Sequence, residues 1–153
     1  MDQDEYESIR QMLDSFRKID QRLYQIMKEE ADKLDVTIMQ TLVLTGLSKN
    51  PNSTLGDIAE GMYSSNSTMS GIVDRLVKAN YVIREHAQSD RRSLTLRLTQ
   101  EGGRKQKEAY RQIMHRLSTQ LNDYTSEDLD HLLNAHDDLL KQLQSEELPE
   151  HER

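Results

Sequence analysis

The feature that most constrains this chain is a change of hydrophobic period close to residue 80. From 66 to 79 the apolar residues Met69, Ile72, Val73 and Leu76 recur at steps of three and four, which marks one buried stripe of a helix. From 81 onward the period drops to two. Tyr81-Val82-Ile83-Arg84-Glu85-His86 has strand composition, and Leu94-Thr95-Leu96-Arg97-Leu98-Thr99 alternates strictly. The polar, turn-forming run Gln88-Ser89-Asp90-Arg91-Arg92-Ser93 lies between them, so the two strands are expected to form a hairpin. Asn80, at the switch point, tolerates the left-handed conformation that ends helices.

The segments upstream read as helices. Ile9, Leu13, Phe16, Ile19, Leu23 and Ile26 form one stripe along a long helix over 5–33. Asp35 is a plausible N-cap for a second helix from Val36 to about Leu47, apolar on most sides and therefore expected to be buried. Lys49-Asn50-Pro51-Asn52-Ser53 reads as a loop. Thr54 and Asp57 make a variant capping box for a short third helix ending near Met62, and Ser65 can cap the helix over 66–79. Downstream, Thr99 can cap a fifth helix, with Glu101 favourable near its positive end and apolar positions at Tyr110, Ile113, Met114, Leu117 and Leu121. A break at Asn122-Asp123-Tyr124-Thr125 precedes a sixth helix carrying Leu129, Leu132, His136, Leu139 and Leu143. The expected fold is mainly α with a small β-hairpin.

Composition removes several function classes. There are no cysteines, hence no disulfides, thiolate metal sites or thiol redox switch. No apolar run is long enough to span a membrane, and the acidic start from Met1 to Glu7 lacks the features of a secretory signal. A cytoplasmic location is therefore expected. No P-loop, nucleophile elbow or Cys-His pair suggests an enzyme. The histidines at 86, 115, 131, 136 and 151 show no i, i+4 pairing of the zinc-binding kind, and no cofactor is expected. The net charge of −7 is distributed unevenly: −3 over 1–53, +1 over 54–104 and −5 over 105–153. An acidic frame around a more basic centre suits a chain that meets phosphate with one face.

A short helix, a tight turn, a second helix and a two-stranded hairpin form the order of a winged helix-turn-helix. The major groove of DNA admits one helix, and the preceding helix fixes its entry angle against the backbone. Turning the 66–79 helix by about 100° per residue puts Ser67, Gly71, Asp74, Arg75 and Lys78 on its outer face. Ser65, Asn66, Ser67, Thr68 and Ser70 supply short polar side chains close to base edges and phosphates. Gly71 lets the backbone approach closely, while Arg75 and Lys78 add charge. At the hairpin tip, Arg91 and Arg92 suit the negative potential of a narrow minor groove, and Asp90 can orient one guanidinium in a bidentate pair.

Taken together, Ile58-Ala59-Glu60, Ser67-Thr68-Met69-Ser70, Val73-Asp74-Arg75-Leu76, Val82-Ile83-Arg84, Asp90-Arg91-Arg92 and Leu98-Thr99-Gln100-Glu101-Gly102 resemble the MarR family in order and spacing. The resemblance implies a homodimer whose first and last helices interlock. It implies a recognition helix over Asn66 to Lys78 in the major groove and a wing whose Asp90 and Arg92 reach the minor groove. It also places Arg84 near the DNA backbone, and a small effector between the dimer helices and the DNA-binding lobe. Three positions depart from the family pattern. Tyr63 and Asn80 stand where glycine is usual, and Gly71 stands where a large polar residue, often arginine, is common.

The expected organisation is a helical dimerisation region over 1–33 and 105–145, a winged helix-turn-helix DNA-binding domain over 34–104, and a disordered tail over 146–153. The expected function is a sequence-specific transcription regulator, of the repressing kind, on a palindromic double-stranded DNA site. Its DNA is released by a small-molecule effector. The competing reading is a winged-helix protein-interaction module without sequence-specific DNA binding.

Overall fold

The computed structural model describes residues 3–86 and 94–144. The wing-tip residues Asp90, Arg91 and Arg92, and the tail over 146–153, lie outside the described residues. In chain order the elements are α1 (Gln3–Asp32), α2 (Ile38–Lys49), β1 (Ser53–Thr54), α3 (Leu55–Gly61), α4 (Asn66–Lys78), β2 (Val82–His86), β3 (Leu94–Leu98), α5 (Gln100–Gln120) and α6 (Ser126–Gln144). The chain divides into two units, 1–116 and 117–153. No helix among the described residues is long and apolar enough to cross a membrane.

The hairpin forms in the register its alternation demands, with Val82 opposite Leu98, Arg84 opposite Leu96 and His86 opposite Leu94. Within β3, Leu96 is buried in the core and Leu98 packs against it, while Arg97 between them is exposed, the two-residue period read from the sequence. Leu94, on the same face as Leu96, lies beyond the core and is exposed. The structure adds a third strand to the expected hairpin. Ser53 and Thr54, read as the end of a loop and a cap, also pair antiparallel with Leu96 and Thr95, giving a sheet of order β1-β3-β2. Two polar residues carry no periodicity, so this strand is set by its partner and not by its own composition.

One core organises the first unit. Val43, Leu44 and Leu47 of α2, Ile58 and Ala59 of α3, Met69, Val73 and Leu76 of α4, Val82 of β2 and Leu96 of β3 form a single buried cluster. Burying each large aliphatic side chain contributes roughly 1.5–3 kcal/mol, so these residues fix α4 against four other elements. Ile72, expected to face inward with them, is only partly buried at the edge of this cluster. A second cluster joins Ala31, Leu34, Val36 and Ala109, with Tyr81 against it.

The capping residues mostly stand where the sequence places them. Thr54 and Asp57 bond reciprocally at 3.1 and 2.8 Å, and those bonds, the Thr54 backbone N–H first, hold the Asp57 carboxyl below its ordinary range. Ser65 Oγ accepts from the Thr68 backbone N–H at 3.1 Å. Asp35 is a correction. The cap of α2 is Thr37, in a capping box with Gln40, and Asp35 instead closes α1 with φ 55°. There the Val36 N–H reaches the Ala31 carbonyl and the Asp35 N–H reaches that of Asp32, the paired bonds of a Schellman motif. An aspartate serves either helix end by composition, and the spacing of three to Gln40 was the sharper signal.

The long helices depart from expectation in what they bury. Of the α1 stripe, Ile26 is buried, while Ile9, Leu13, Ile19 and Leu23 are 40–58% exposed. Along α5 the buried residues are Gly102, Gln106, Ala109 and Ile113, and Tyr110 and Met114, with Leu121 just past its end, are exposed. In the second unit, Thr125 and Asp128 cap α6 reciprocally, yet α6 has no buried residue.

The joint between wing and α5 is the tightest point. Thr99 accepts from the Gly102 N–H at 2.9 Å and donates its hydroxyl to the Asn80 carbonyl at 2.6 Å, while its own N–H reaches the Tyr81 carbonyl at 3.0 Å. A Cβ on Gly102 would overlap that Tyr81 carbonyl, which is backbone and cannot swing aside. Gly102→Ala is expected to destabilise the protein by about 1–3 kcal/mol, the usual cost of forced overpacking. Chemical denaturation would check this, with Gly103→Ala as control because open space surrounds a Cβ there. Equal midpoints for both variants would contradict the contact.

Candidate nucleic-acid interface

The candidate interface comprises α3, the turn over 62–65, α4 and the stem of the hairpin. Because Met69, Val73 and Leu76 are buried, the helical period turns the opposite face of α4 outward. Ser67, Gly71, Asp74, Arg75 and Lys78 are all exposed, as are Ser65, Asn66 and Thr68 at its start. Ser70 is half-buried on the flank beside Met69, so it is the least available of the predicted hydroxyls. The Ser65 hydroxyl donates to Thr68 Oγ1 at 2.9 Å. Ser65 thus acts first as the helix cap and orients its neighbour.

Gly71 has no internal reason to be glycine. A Cβ built on it meets nothing within 4 Å, and the residue sits inside a helix, where glycine costs about 1 kcal/mol relative to alanine. What its missing side chain creates is a shallow place on the outer face of α4, between Ser67 and Lys78.

Arg84 stands at the base of the wing, and its guanidinium meets Asp74 Oδ1 at 2.5 Å. The pair ties β2 to the outer face of α4 and neutralises that face's acidic side chain. Both partners are substantially exposed, 36% and 51%, so the pair adds at most about 1 kcal/mol to stability. Its larger effect is on the sign of the surface. One step further along the stem, Arg97 binds Glu85 through two bonds of 2.7 and 3.2 Å, which holds the Glu85 carboxyl below its ordinary range. The pair braces the hairpin across its two strands on the way to the tip.

The sequence thus located the outer face of α4 but not the Asp74–Arg84 link, since ten residues separate the partners. It singled out Tyr63 only as an unusual residue in the turn. Tyr63 has φ 49° and is 101% exposed as a residue. Its N–H reaches the Glu60 carbonyl and the Ser64 N–H reaches that of Ala59, so α3 also ends in a Schellman motif. Asn80 closes α4 in the same way, with φ 58° and bonds to the Val77 carbonyl from its own N–H and to the Leu76 carbonyl from Tyr81. Both positions need the left-handed conformation, which is why glycine suits them. Among the described residues, no group of three or more His, Asp or Glu is placed to hold a metal ion.

Comparison with known proteins agrees with this geometry. Residues 36–94 match the model of the MarR family. The HTH-type transcriptional repressor MdtR of Bacillus subtilis is 35% identical over 88 residues, 58% of this chain and 57% of that one. The chain spans about half the length of the curated relatives it matches, 42% and 57% in two cases. The crystal structure of YusO from Bacillus subtilis is 30% identical, with 95% of this chain and 99% of that one covered and a TM-score of 0.64. A MarR family protein from Bacillus stearothermophilus shares the fold at 21% identity, with a TM-score of 0.82 over 92% of this chain and 98% of that one. On the family model, the full-length relative and the winged helix-turn-helix fold together, the chain belongs to the MarR family.

Proposed function

We propose that the protein is a sequence-specific transcription regulator, a repressor that binds a palindromic duplex site as a homodimer and leaves it when a small effector binds. The observation that carries this reading is the outer face of α4. Its hydroxyls and the shallow place at Gly71 allow close approach, Arg75 and Lys78 supply charge, and Asp74 is neutralised by Arg84. A helix presented this way fits the major groove with its first turns at the base edges. The wing then carries Asp90, Arg91 and Arg92 toward the neighbouring minor groove, where arginine is favoured. The name of MdtR, a repressor, supports the direction of control.

Two observations support the dimer. The exposed apolar stripe of α1 and an α6 that buries none of its leucines both call for a partner surface. A two-fold dimer reads half-sites roughly one helical turn apart, about 34–36 Å. Effector control then requires a ligand that favours the dimer geometry in which the two α4 helices no longer match that spacing. Such a regulator works where its DNA is, in the cytoplasm.

Fluorescence anisotropy with DNA from around the protein's own gene, at several salt concentrations, tests the reading. Tight binding to one site that weakens steeply with salt is expected. Arg92→Ala is expected to weaken that binding with the dimer intact. Weak binding, equal for all sequences, would favour the protein-interaction module, and unchanged affinity for Arg92→Ala would remove the wing from the interface.

The Asp74–Arg84 pair gives a sharper test. Arg84→Ala both removes a cation and leaves a carboxylate facing phosphate, so affinity is expected to fall by about tenfold or more. The double variant Asp74→Asn with Arg84→Ala is expected to recover part of that loss. A double variant no tighter than Arg84→Ala alone would show that Asp74 does not face the DNA.

A further inference from the structure

We infer that Tyr63 is a DNA-backbone contact, its phenolic hydroxyl donating to a phosphate oxygen beside the entry point of α4; the inference rests on the DNA-binding reading above. The backbone conformation of Tyr63 is energetically anomalous. A non-glycine residue in the left-handed region costs about 1–2 kcal/mol, and strain of this kind persists where function uses it. Among the described residues four lie there, Asp35, Asn52, Tyr63 and Asn80. Three are Asn or Asp, whose short polar side chains make that region tolerable. Tyr63 has no such relief. Its Schellman bonds match those at Asn80, so a smaller residue would close α3 equally well.

Packing does not offset the cost. A large aromatic side chain normally compensates by burying its ring, but Tyr63 as a residue is fully exposed, as open as in an extended peptide. Its neighbours Met62 and Ser64 are half-buried, so the left-handed turn directs this one side chain away from the body of the fold. The position is also specific. Tyr63 lies two residues before the cap Ser65 and three before Asn66, the first residue of α4, a separation of at most about 11 Å of chain. A side chain projecting there stands beside the helix start that enters the groove. Tyrosine hydroxyls are among the groups that contact phosphate in protein–DNA complexes, and such contacts set orientation and register without reading sequence.

The test uses a fluorescent duplex carrying the site that the wild-type protein selects from a randomised pool, with a scrambled duplex beside it. Tyr63→Phe keeps the ring and the backbone conformation and removes only the donor. It is expected to bind about tenfold more weakly, the scale of one hydrogen bond to a charged acceptor. The loss should be similar on both duplexes, and the salt dependence should not change because no charge is lost. Tyr63→Gly relieves the left-handed strain, so its thermal midpoint is expected to equal or exceed the wild type while its DNA affinity falls at least as far. A stability gain with an affinity loss cannot come from misfolding. Wild-type affinity in both variants would overturn the inference while leaving the DNA-binding reading in place. Failure of the wild-type protein to select any site would overturn both.

Discussion

The structure depends on the burial of one face of α4. Met69, Val73 and Leu76 are at most 1% exposed and pack against α2, α3, β2 and β3 in one cluster. A helix has no freedom to rotate once three successive turns of its inner face are sealed in this way. The outer face, from Ser67 to Lys78, is therefore presented at a fixed angle that no residue on it has to maintain. This explains how the outer face can carry groups that contribute nothing to stability. Gly71 weakens the helix, and the Asp74–Arg84 pair is too exposed to add much. The core carries the stability and leaves the outer face free of that duty.

The second constraint is the set of chain reversals that brings the pieces to that core. Three helices, α1, α3 and α4, end in the same pair of backbone bonds with a left-handed residue, Asp35, Tyr63 or Asn80. Each reversal is short, so helix, turn and strand follow one another without slack. The joint at Thr99 works similarly. One threonine satisfies the Gly102 N–H at the start of α5 and the Asn80 carbonyl at the end of α4. Closure at this point requires the bare backbone of Gly102 against Tyr81. The wing is thus clamped at its base to both flanking helices, and the Arg97–Glu85 pair carries that stiffness outward along the stem.

Much of this was legible in the sequence because it is local. The change of period near residue 80 marked the passage from α4 to the hairpin, the Thr54–Asp57 and Ser65 caps marked the helix starts, and the stripe of α4 separated its two faces. What was not legible depends on distant partners. β1 exists only because β3 offers its edge to Ser53 and Thr54. Asp74 and Arg84 meet because the β2 stem folds back along α4. The role of Asp35 is not legible because an aspartate suits either end of a helix, and only the bonds to the Ala31 and Asp32 carbonyls decide which. The exposed stripe of α1 reads as core by its spacing, yet within one chain it faces solvent. A hydrophobic pattern states that a surface must be covered and not what covers it.

We propose that the outer face of α4 lies in the major groove, twice per site. Guanine N7 is exposed in the major groove alone, so protection of N7 from methylation on the selected duplex reports directly on that placement. Two protected patches are expected, with centres about 10–10.5 base pairs apart or a multiple of that, both lost when the site is scrambled. Specific binding that leaves every guanine N7 reactive would place recognition outside the major groove and contradict it.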